Sequence, residues 1–388
     1  MVLIMKVRGI SVFTEKPIEL EIDDGFIKNI NLFLKTEQNL SYISPGFFDL
    51  QVNGYKGSDY SLEDFSEEHL RNIITNLATS GTTQHIPTII SSPQERILKN
   101  LKIISKAINT SPDTKEAIPG IHLEGPFISP EEGPRGCHDP NFIRDPDFEE
   151  FRQWQEAAEG RIVMVTIAPE REGSIDFIKK VVRAGVKVAI GHTGATPHTI
   201  RKAIKAGAQY STHLGNGSYL ILPKLNNYIW EQLAADELFA GIICDGFHLP
   251  ASAVKVFARA KGLDKLILVS DVALLGGLKP GIYKWGNLDV EVFKDGHLSL
   301  PGTNILAGAG HLLDWDIAHF IKFTGSDLSK TIPLCTINPA IVIVIPDNYG
   351  NYGKLEVGAP ANLTLFNYHS GDDRLQVVRT IRMGKIIF

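Results

Sequence analysis

The sequence has few cysteines and no long apolar run. Its 388 residues include three cysteines, Cys137, Cys244 and Cys335, which lie far apart and form no C-x-x-C motif. This pattern argues against a disulfide framework and indicates a reducing compartment, so we predict a cytoplasmic protein. No apolar run approaches the roughly 20 residues that a membrane-spanning helix needs. The first residues also lack the pattern of a signal peptide, so we expect no membrane partner.

An excess of positive charge is also absent. Lysine and arginine total 39 against 44 aspartate and glutamate residues, which gives a net charge of −5, and the basic residues form no cluster. This balance argues against a nucleic acid as the main partner. The content of 43% hydrophobic and 21% charged residues is typical of a soluble globular protein. The length suits one large barrel with an appended domain.

Strands and helices alternate through most of the chain, and the strands are almost continuously apolar. Such strands favour a parallel sheet covered by helices, and about eight of them favour closure into a (β/α)8 barrel. Both chain ends instead show short apolar–polar alternation. We therefore predict an α/β protein with a (β/α)8 barrel over residues 45–345 and a β-insertion near 279–300. Residues 1–44 and 346–388 together would form a small β-sandwich domain.

Four polar residues come at the ends of predicted barrel strands. Glu124 ends one strand, His192 and His213 each follow a β-rich run, and Asp271 closes a fourth. Each alone is more often an ordinary packed or solvated residue. Together they would meet at one face, because the carboxyl ends of barrel strands share a rim. One Glu and two His make a three-ligand metal site with positions open to water, and Asp271 could move protons there.

Six short motifs give the chain a family resemblance that runs through essentially its whole length. The motifs are PGFFD (45–49), HLEGPF (122–127), GHTGAT (191–196), THL (212–214), DGFH (245–248) and VSD (269–271). With these motifs the chain resembles the amidohydrolase superfamily and, within it, the N-acetylglucosamine-6-phosphate deacetylases. The resemblance implies a metal-dependent hydrolase whose catalytic barrel carries a small β-domain.

The resemblance implies that Glu124, His192 and His213 hold a divalent metal. Zinc is the expected ion, with iron, cobalt and manganese as alternatives. Many superfamily members bind a second metal through an H-x-H pair, but here Gln51 and Asn53 stand at those positions. Amide side chains are poorer ligands than imidazole for zinc-like metals. We therefore predict one metal ion per chain, and a weak second site at the two amides stays open.

The resemblance also assigns roles to residues around the metal. Asp271 would take a proton from the attacking water and later give one to the leaving amine. His138 would help polarise the acetamide carbonyl. His248 and the backbone around Asn216 and Gly217 would hold the substrate. We also expect Asp245 to order the loop that carries His248.

The loop after His213 departs from the family pattern. Many relatives carry an arginine there that binds the sugar phosphate, and Lys224 falls near its place. Lysine binds phosphate as a point charge but lacks the planar fork of arginine. The following residues, 225–230, are bulkier than a sugar-phosphate site suggests. The resemblance further implies a homodimer in which this region reaches into the partner's site.

The predicted function is removal of the acetyl group from an N-acetylated amino sugar, with N-acetylglucosamine 6-phosphate as the expected substrate. Two alternatives stay open. The same metal site could act on a different, non-phosphorylated amide or a cyclic amide, as the altered loop at 215–230 suggests. The barrel could also be a non-catalytic binding protein, although the presence of Glu124, His192, His213 and Asp271 argues against this.

Overall fold

The computed structural model describes residues 4–33, 40–286, 288–303, 305–343 and 352–388. Within these ranges the strands are β1 (Met5–Ser11), β2 (Pro17–Asp23), β3 (Phe26–Leu32), β4 (Tyr42–Pro45), β5 (Phe47–Val52), β6 (Gly54–Tyr55), β7 (Ser58–Asp59), β8 (Thr82–Ile90), β9 (Ile121–Glu124), β10 (Ile162–Ile167), β11 (Lys187–Ile190), β12 (Tyr210–Ser211), β13 (Phe239–Ile242), β14 (Leu266–Leu268), β15 (Gly281–Trp285), β16 (Leu288–Val292), β17 (Leu298–Ser299), β18 (Leu363–Asn367), β19 (Gln376–Arg382) and β20 (Lys385–Ile386).

The helices in the same ranges are α1 (Glu67–Ala78), α2 (Gln94–Thr110), α3 (Pro112–Ala117), α4 (Phe148–Ala157), α5 (Ser174–Arg183), α6 (Pro197–Ala206), α7 (Tyr228–Ala234), α8 (Ala251–Lys261), α9 (Leu313–Thr324), α10 (Leu328–Thr331) and α11 (Ile337–Val342). Two 3-10 helices cover Pro140–Phe142 and Ile332–Cys335. None of the described helices is both long enough and apolar enough to cross a membrane.

Eight parallel strands of the described chain form the barrel, in the order β5-β8-β9-β10-β11-β12-β13-β14. Beyond β14 the chain meets the end of β5 again. The Asp271 N–H donates to the Gln51 carbonyl and the Asn53 N–H donates to the Val272 carbonyl, each at a distance of 3.0 Å. All six residues of β5 are buried, as expected for a strand packed on both faces. The predicted (β/α)8 barrel is therefore confirmed.

The longer helices pack on the barrel through apolar residues, as α1 shows. In α1 the buried residues Leu70, Ile73 and Leu77 are three and four positions apart, so they lie on one face of the helix. Ser66 caps the start of the helix, because its side chain accepts a hydrogen bond from the His69 N–H. The apolar face of such a helix covers the apolar outer side of the barrel strands.

Both chain ends meet in a separate seven-stranded sheet, ordered β20-β19-β18-β4-β1-β2-β3. The ends pair through β4 and β18, which run antiparallel. The sheet curls, as shown by a hydrogen bond of 2.9 Å from the Ile27 N–H in the edge strand β3 to the Ala359 carbonyl shortly before β18. The predicted small β-domain from both ends is confirmed. Its first boundary, at residues 44/45, stays a prediction, and its second, at 345/346, lies outside the described residues.

The terminal sheet docks at the amino end of the barrel. The Thr364 hydroxyl donates to the Gly81 carbonyl and the Thr380 hydroxyl donates to the Ala78 carbonyl, each at a distance of 2.7 Å. Both acceptors lie just before the start of β8. Strands β15, β16 and β17 form a small antiparallel sheet within residues 281–299. That sheet packs against residues 273–275, which follow β14 at the other end of the barrel. The β-insertion therefore borders the carboxyl ends of the strands, where the candidate site lies.

Candidate metal centre and active site

The four polar strand-end residues are all buried at the carboxyl end of the barrel. Glu124 is the last residue of β9, His192 and His213 come two residues after the ends of β11 and β12, and Asp271 comes three residues after the end of β14. His192, His213 and Asp271 adopt positive φ angles of 49°, 26° and 50°. Such angles are uncommon for residues other than glycine, and they persist where the surrounding structure fixes them. The chain therefore turns sharply at the three positions where it presents these side chains.

Glu124, His192 and His213 form one compact cluster. Glu124 Oε1 lies 3.2 Å from His192 Nε2 and 2.9 Å from His213 Nε2, and the two nitrogens are 3.0 Å apart. Burial alone would raise the pKa of Glu124, but its hydrogen bonds with the two histidines hold that pKa well below its usual range. The carboxylate oxygen of Glu124 and the ring nitrogens of the two histidines lie close enough together to share one metal ion.

The protonation of His192 supports a cation at this point. Its Nδ1 lies 2.8 Å from the Pro134 carbonyl, which can only accept, so Nδ1 carries the proton. The hydrogen bond from Nε2 to Glu124 therefore needs a second ring proton, whereas in the neutral ring Nε2 carries a lone pair that faces the Glu124 carboxylate at 3.2 Å. Two acceptors at this distance repel each other unless a cation lies between them. A carbonyl that fixes the far ring nitrogen is also a usual feature of metal-binding histidines.

Asp271 lies beside this cluster and is joined to it through Gln51. Gln51 Nε2 donates to Glu124 Oε1 at 2.8 Å and to Asp271 Oδ1 at 2.9 Å. Asn53 Nδ2 donates to the same Asp271 oxygen at 2.7 Å. Burial, together with the negative charge of Glu124, raises the pKa of Asp271 to about 6. A carboxyl group with such a pKa can both accept and return a proton near neutral pH.

His138 packs against the metal cluster as a neutral ring. Its ring lies edge-on to His192, with centroids 4.4 Å apart. The Ser91 N–H donates to His138 Nδ1 at 3.4 Å, and the Ser91 hydroxyl lies 2.8 Å from the same nitrogen. Nδ1 is therefore an acceptor, which leaves the proton on Nε2. Burial lowers the pKa of His138 to about 3, so this Nε2–H is a lasting hydrogen-bond donor.

The loop that follows β13 presents His248. The Asp245 carboxylate accepts the backbone N–H groups of Phe247 and His248 at 2.8 and 2.9 Å, and it lies 2.7 Å from His248 Nδ1. Burial disfavours the charge of Asp245, but these contacts hold its pKa at about 2. The expectation that Asp245 orders this loop is confirmed.

The loop after His213 begins against the metal cluster and then becomes exposed. The Asn216 N–H donates to the His213 carbonyl at 2.9 Å. Gly217 has a φ of +54°, and a Cβ there would lie 2.8 Å from His192 Nδ1, so glycine is required. Lys224 is exposed, and among the described residues no hydrogen bond or ion pair joins it to the buried cluster.

Sequence reasoning missed how three residues support the site. Gln51 and Asn53 were considered only as weak metal ligands, whereas they hydrogen-bond to the carboxylates. Gln51 lies in β5 and Asn53 directly follows it, and their spacing of two positions along an extended chain, which puts them on one face, was the available signal. Ser91, the partner of His138, follows β8 and carried no signal of its own.

Comparison with known proteins agrees with this geometry. The sequence model of the amidohydrolase family matches residues 42–387. The chain is 32% identical to the N-acetylglucosamine-6-phosphate deacetylase of Bacillus subtilis, over 90% of this chain and 85% of the relative. It is 32% identical to that of Caenorhabditis elegans, over 89% and 82%. The structure matches a Mycobacterium smegmatis variant of this deacetylase solved with N-acetyl-D-glucosamine-6-phosphate, with a TM-score of 0.84, 27% identity and coverage of 96% and 94%.

Proposed function

Because the chain belongs to the amidohydrolase family, we propose that it hydrolyses N-acetylglucosamine 6-phosphate to glucosamine 6-phosphate and acetate. It is a metal-dependent hydrolase of a carbon–nitrogen bond. The observation that carries the proposal is the buried cluster of Glu124, His192 and His213 with Asp271 beside it. Relatives that are about 30% identical over some 90% of the chain carry this activity in their names.

Glu124, His192 and His213 would hold a single divalent metal, with zinc as the ion we propose. When bound, the metal supplies Lewis acidity that activates water and polarises the amide carbonyl. We propose one ion and not two, because Gln51 and Asn53 are amides and therefore poorer ligands for a zinc-like metal than imidazole. Gln51 Nε2 instead donates to both Glu124 and Asp271.

Asp271 moves the proton in this scheme. Its carboxylate takes a proton from the attacking water as the new C–O bond forms at the acetamide carbon. The same carboxyl group then gives that proton to the amide nitrogen, and the C–N bond breaks to release the amine and acetate. The pKa of about 6 suits both steps, because the group is charged at neutral pH and still basic enough to accept a proton.

His138 stabilises the negative charge that develops on the carbonyl oxygen. Its Nε2–H is free to donate because Nδ1 is already engaged by Ser91. A neutral donor fits this role, because it stabilises the oxyanion without having to be desolvated at the moment of reaction. The burial of the ring against His192 keeps the donor in a fixed position.

The substrate would be held by His248, by the backbone around Asn216 and Gly217, and by Lys224 at its phosphate. Lys224 lies in an exposed loop whose neighbours Leu220, Ile221 and Leu225 are 93%, 90% and 72% exposed. Contiguous exposed apolar residues are typical of an interaction surface. We propose that a second copy of the chain covers this loop in a homodimer and that Lys224 reaches the partner's site. The free cysteines support a cytoplasmic enzyme.

The test is acetate release by zinc-loaded protein from N-acetylglucosamine 6-phosphate and, side by side, from N-acetylglucosamine. We expect strong preference for the phosphorylated sugar, and we expect Lys224→Ala to lose much of that preference while keeping its metal. Lys255→Ala, on helix α8, is a matched control. If neither sugar reacts although the metal is bound, the substrate assignment is wrong. The loop at 215–230 would then be the place to look for a different amide.

A further inference from the structure

Seven rings form one continuous stack beside the loop that carries His248. The centroids of successive rings are 4.1, 4.7, 5.8, 4.0, 4.4 and 5.5 Å apart. The first five pairs are nearly parallel, with interplanar angles between 8° and 25°. In order, the members of this ring stack are Phe293, His297, Phe247, His311, Trp315, His319 and Phe323.

The ring stack joins three parts of the molecule that are distant in sequence. Phe293 and His297 belong to the turn between β16 and β17, and Trp315, His319 and Phe323 lie along one face of α9. Phe247 lies between these two groups and belongs to the loop after β13. The β-insertion at 281–299 therefore touches the candidate site through Phe247.

Phe247 directly precedes His248 and is held on both sides. Its ring is 4.7 Å from His297 and 5.8 Å from His311, measured between centroids. The loop is also fixed against α9, because Trp315 Nε1 donates to the Asp245 carbonyl at 3.0 Å. Phe247 is thus the point where the ring stack meets the backbone of a substrate-holding residue.

His297 forms a rigid support for Phe247. The turn that carries it is closed by a hydrogen bond of 3.0 Å from the Phe293 N–H to the His297 carbonyl. The His297 ring is held by Asp295, whose Oδ1 lies 2.6 Å from Nδ1. A ring carried by this closed turn can hold a neighbouring ring in place by stacking, as offset or parallel aromatic pairs do.

We propose that Phe247 is a positioning residue for His248 and that His297 of the β-insertion controls substrate binding through it. The Nδ1 contact with Asp245 fixes the rotation of the His248 ring. The place of its Nε2 then depends on the backbone at 247 and 248, which the Asp245 carboxylate and the ring stack hold together. Small displacements of a positioning group cost large factors in binding or rate. The proposal rests on the proposed function only for the contact of His248 with substrate.

The first test compares two variants of His297 and one of Asp295 by steady-state kinetics of the zinc-loaded enzyme. His297→Leu removes a stacking ring and is expected to raise KM by about 2- to 10-fold with kcat little changed. His297→Phe keeps a ring, and it should restore KM although it also lacks the contact with Asp295. Asp295→Asn keeps the histidine ring and should leave KM within about twofold. An unchanged KM in His297→Leu would overturn the proposal.

A double-mutant cycle separates positioning from a general structural effect. In a His248→Ala background, His297→Leu should raise KM no further, because the residue through which it acts is gone. If His297→Leu raises KM by the same factor with and without His248, its effect does not pass through His248 and the proposal fails. Phe247→Leu should behave in the same way as His297→Leu in both backgrounds.

A spectroscopic measurement keeps the inference testable if the substrate proves to be wrong. The imidazole signals of isotope-labelled histidines can be recorded in the metal-bound protein, with His248 assigned through His248→Ala. His297→Leu should shift or broaden the His248 signal, His297→Phe should leave it close to wild type, and exposed His369 should not respond. An unmoved His248 signal in His297→Leu would refute the positioning role. A wild-type enzyme that is inactive on both sugars would refute only the proposed function.

Discussion

The side-chain amide of Asn53 donates a 2.7 Å hydrogen bond to Oδ1 of Asp271 and thereby favours the charged form of that carboxylate. Gln51 donates to the same oxygen at 2.9 Å. These contacts oppose burial, which raises the pKa of Asp271. Two amides that replace the metal-binding histidines of other family members thus take part in setting the basicity of the proposed proton acceptor.

The first prediction concerns the acid limb of the pH profile. Asp271 must be charged to take a proton, and its pKa is raised to about 6, so kcat/KM should fall as the pH drops through this value. A bound cation favours the charged form, so the midpoint should lie at about 6 or lower. His138 should add no limb above pH 5, because burial lowers its pKa to about 3. A midpoint well above pH 6 would contradict the assignment of this limb to Asp271.

The second prediction follows from the Asn53 contact. Replacing Asn53 with alanine removes a donor that favours the charged carboxylate, so the pKa of Asp271 should rise. The acid limb of kcat/KM should therefore move to higher pH, while the metal content stays at the wild-type level. A limb that moves to lower pH would show that the amide acts on the site in a different way.

The third prediction concerns Asp271 itself. Asp271→Asn keeps the shape of the side chain but cannot accept a proton, so we expect kcat to fall by about 10²- to 10⁴-fold. Metal analysis should still find one ion per chain, because Asp271 lies outside the cluster of Glu124, His192 and His213. Full activity in a variant that retains its metal would remove the central step of the mechanism.

The fourth prediction concerns metal removal. Chelation should abolish acetate release and lower Tm, because a ligand that binds only the folded state stabilises it, by about 2.7 kcal/mol at 100 times Kd. Adding back zinc should restore both properties at one ion per chain. In His213→Ala the Tm should no longer respond to zinc. Two ions per wild-type chain would instead show that Gln51 and Asn53 support a second site.

The fifth prediction concerns Gly217. A Cβ there would lie 2.8 Å from His192 Nδ1 and would disturb the hydrogen bond to Pro134. Gly217→Ala should therefore weaken metal binding by about 10- to 100-fold, as expected when the support of a ligand is lost. Gly185→Ala is the matched control, because Gly185 also has a positive φ, +82°, but no atom within 4 Å of its added Cβ. Equal losses in both variants would point to backbone strain as the cause.

The sequence was enough to predict the barrel and the four strand-end residues. Apolar strands that alternate with helices have few stable arrangements, and a parallel barrel brings its carboxyl ends together. Glu124, His192, His213 and Asp271 each end or follow such a strand, so their meeting follows from the topology alone.

The contacts that tune the site could not be predicted in this way. Gln51 meets Asp271 across 220 positions of sequence, and this pairing depends on the closure of the barrel. The ring stack combines residues from a turn, a loop and a helix, and none of its histidines carries a pattern that distinguishes it from an ordinary packed residue. Such contacts depend on side-chain geometry in three dimensions, which periodicity does not encode.

The pairing of β4 with β18 has a consequence for synthesis of the chain. Residues 42–45 leave the ribosome more than 300 positions before their partners at 363–366. Every barrel strand is therefore made while the edge of β4 that faces β18 is still open. Unpaired strand edges invite pairing with other chains, so the nascent protein is most exposed to aggregation in this interval. A chain truncated before Leu363 would keep that edge permanently.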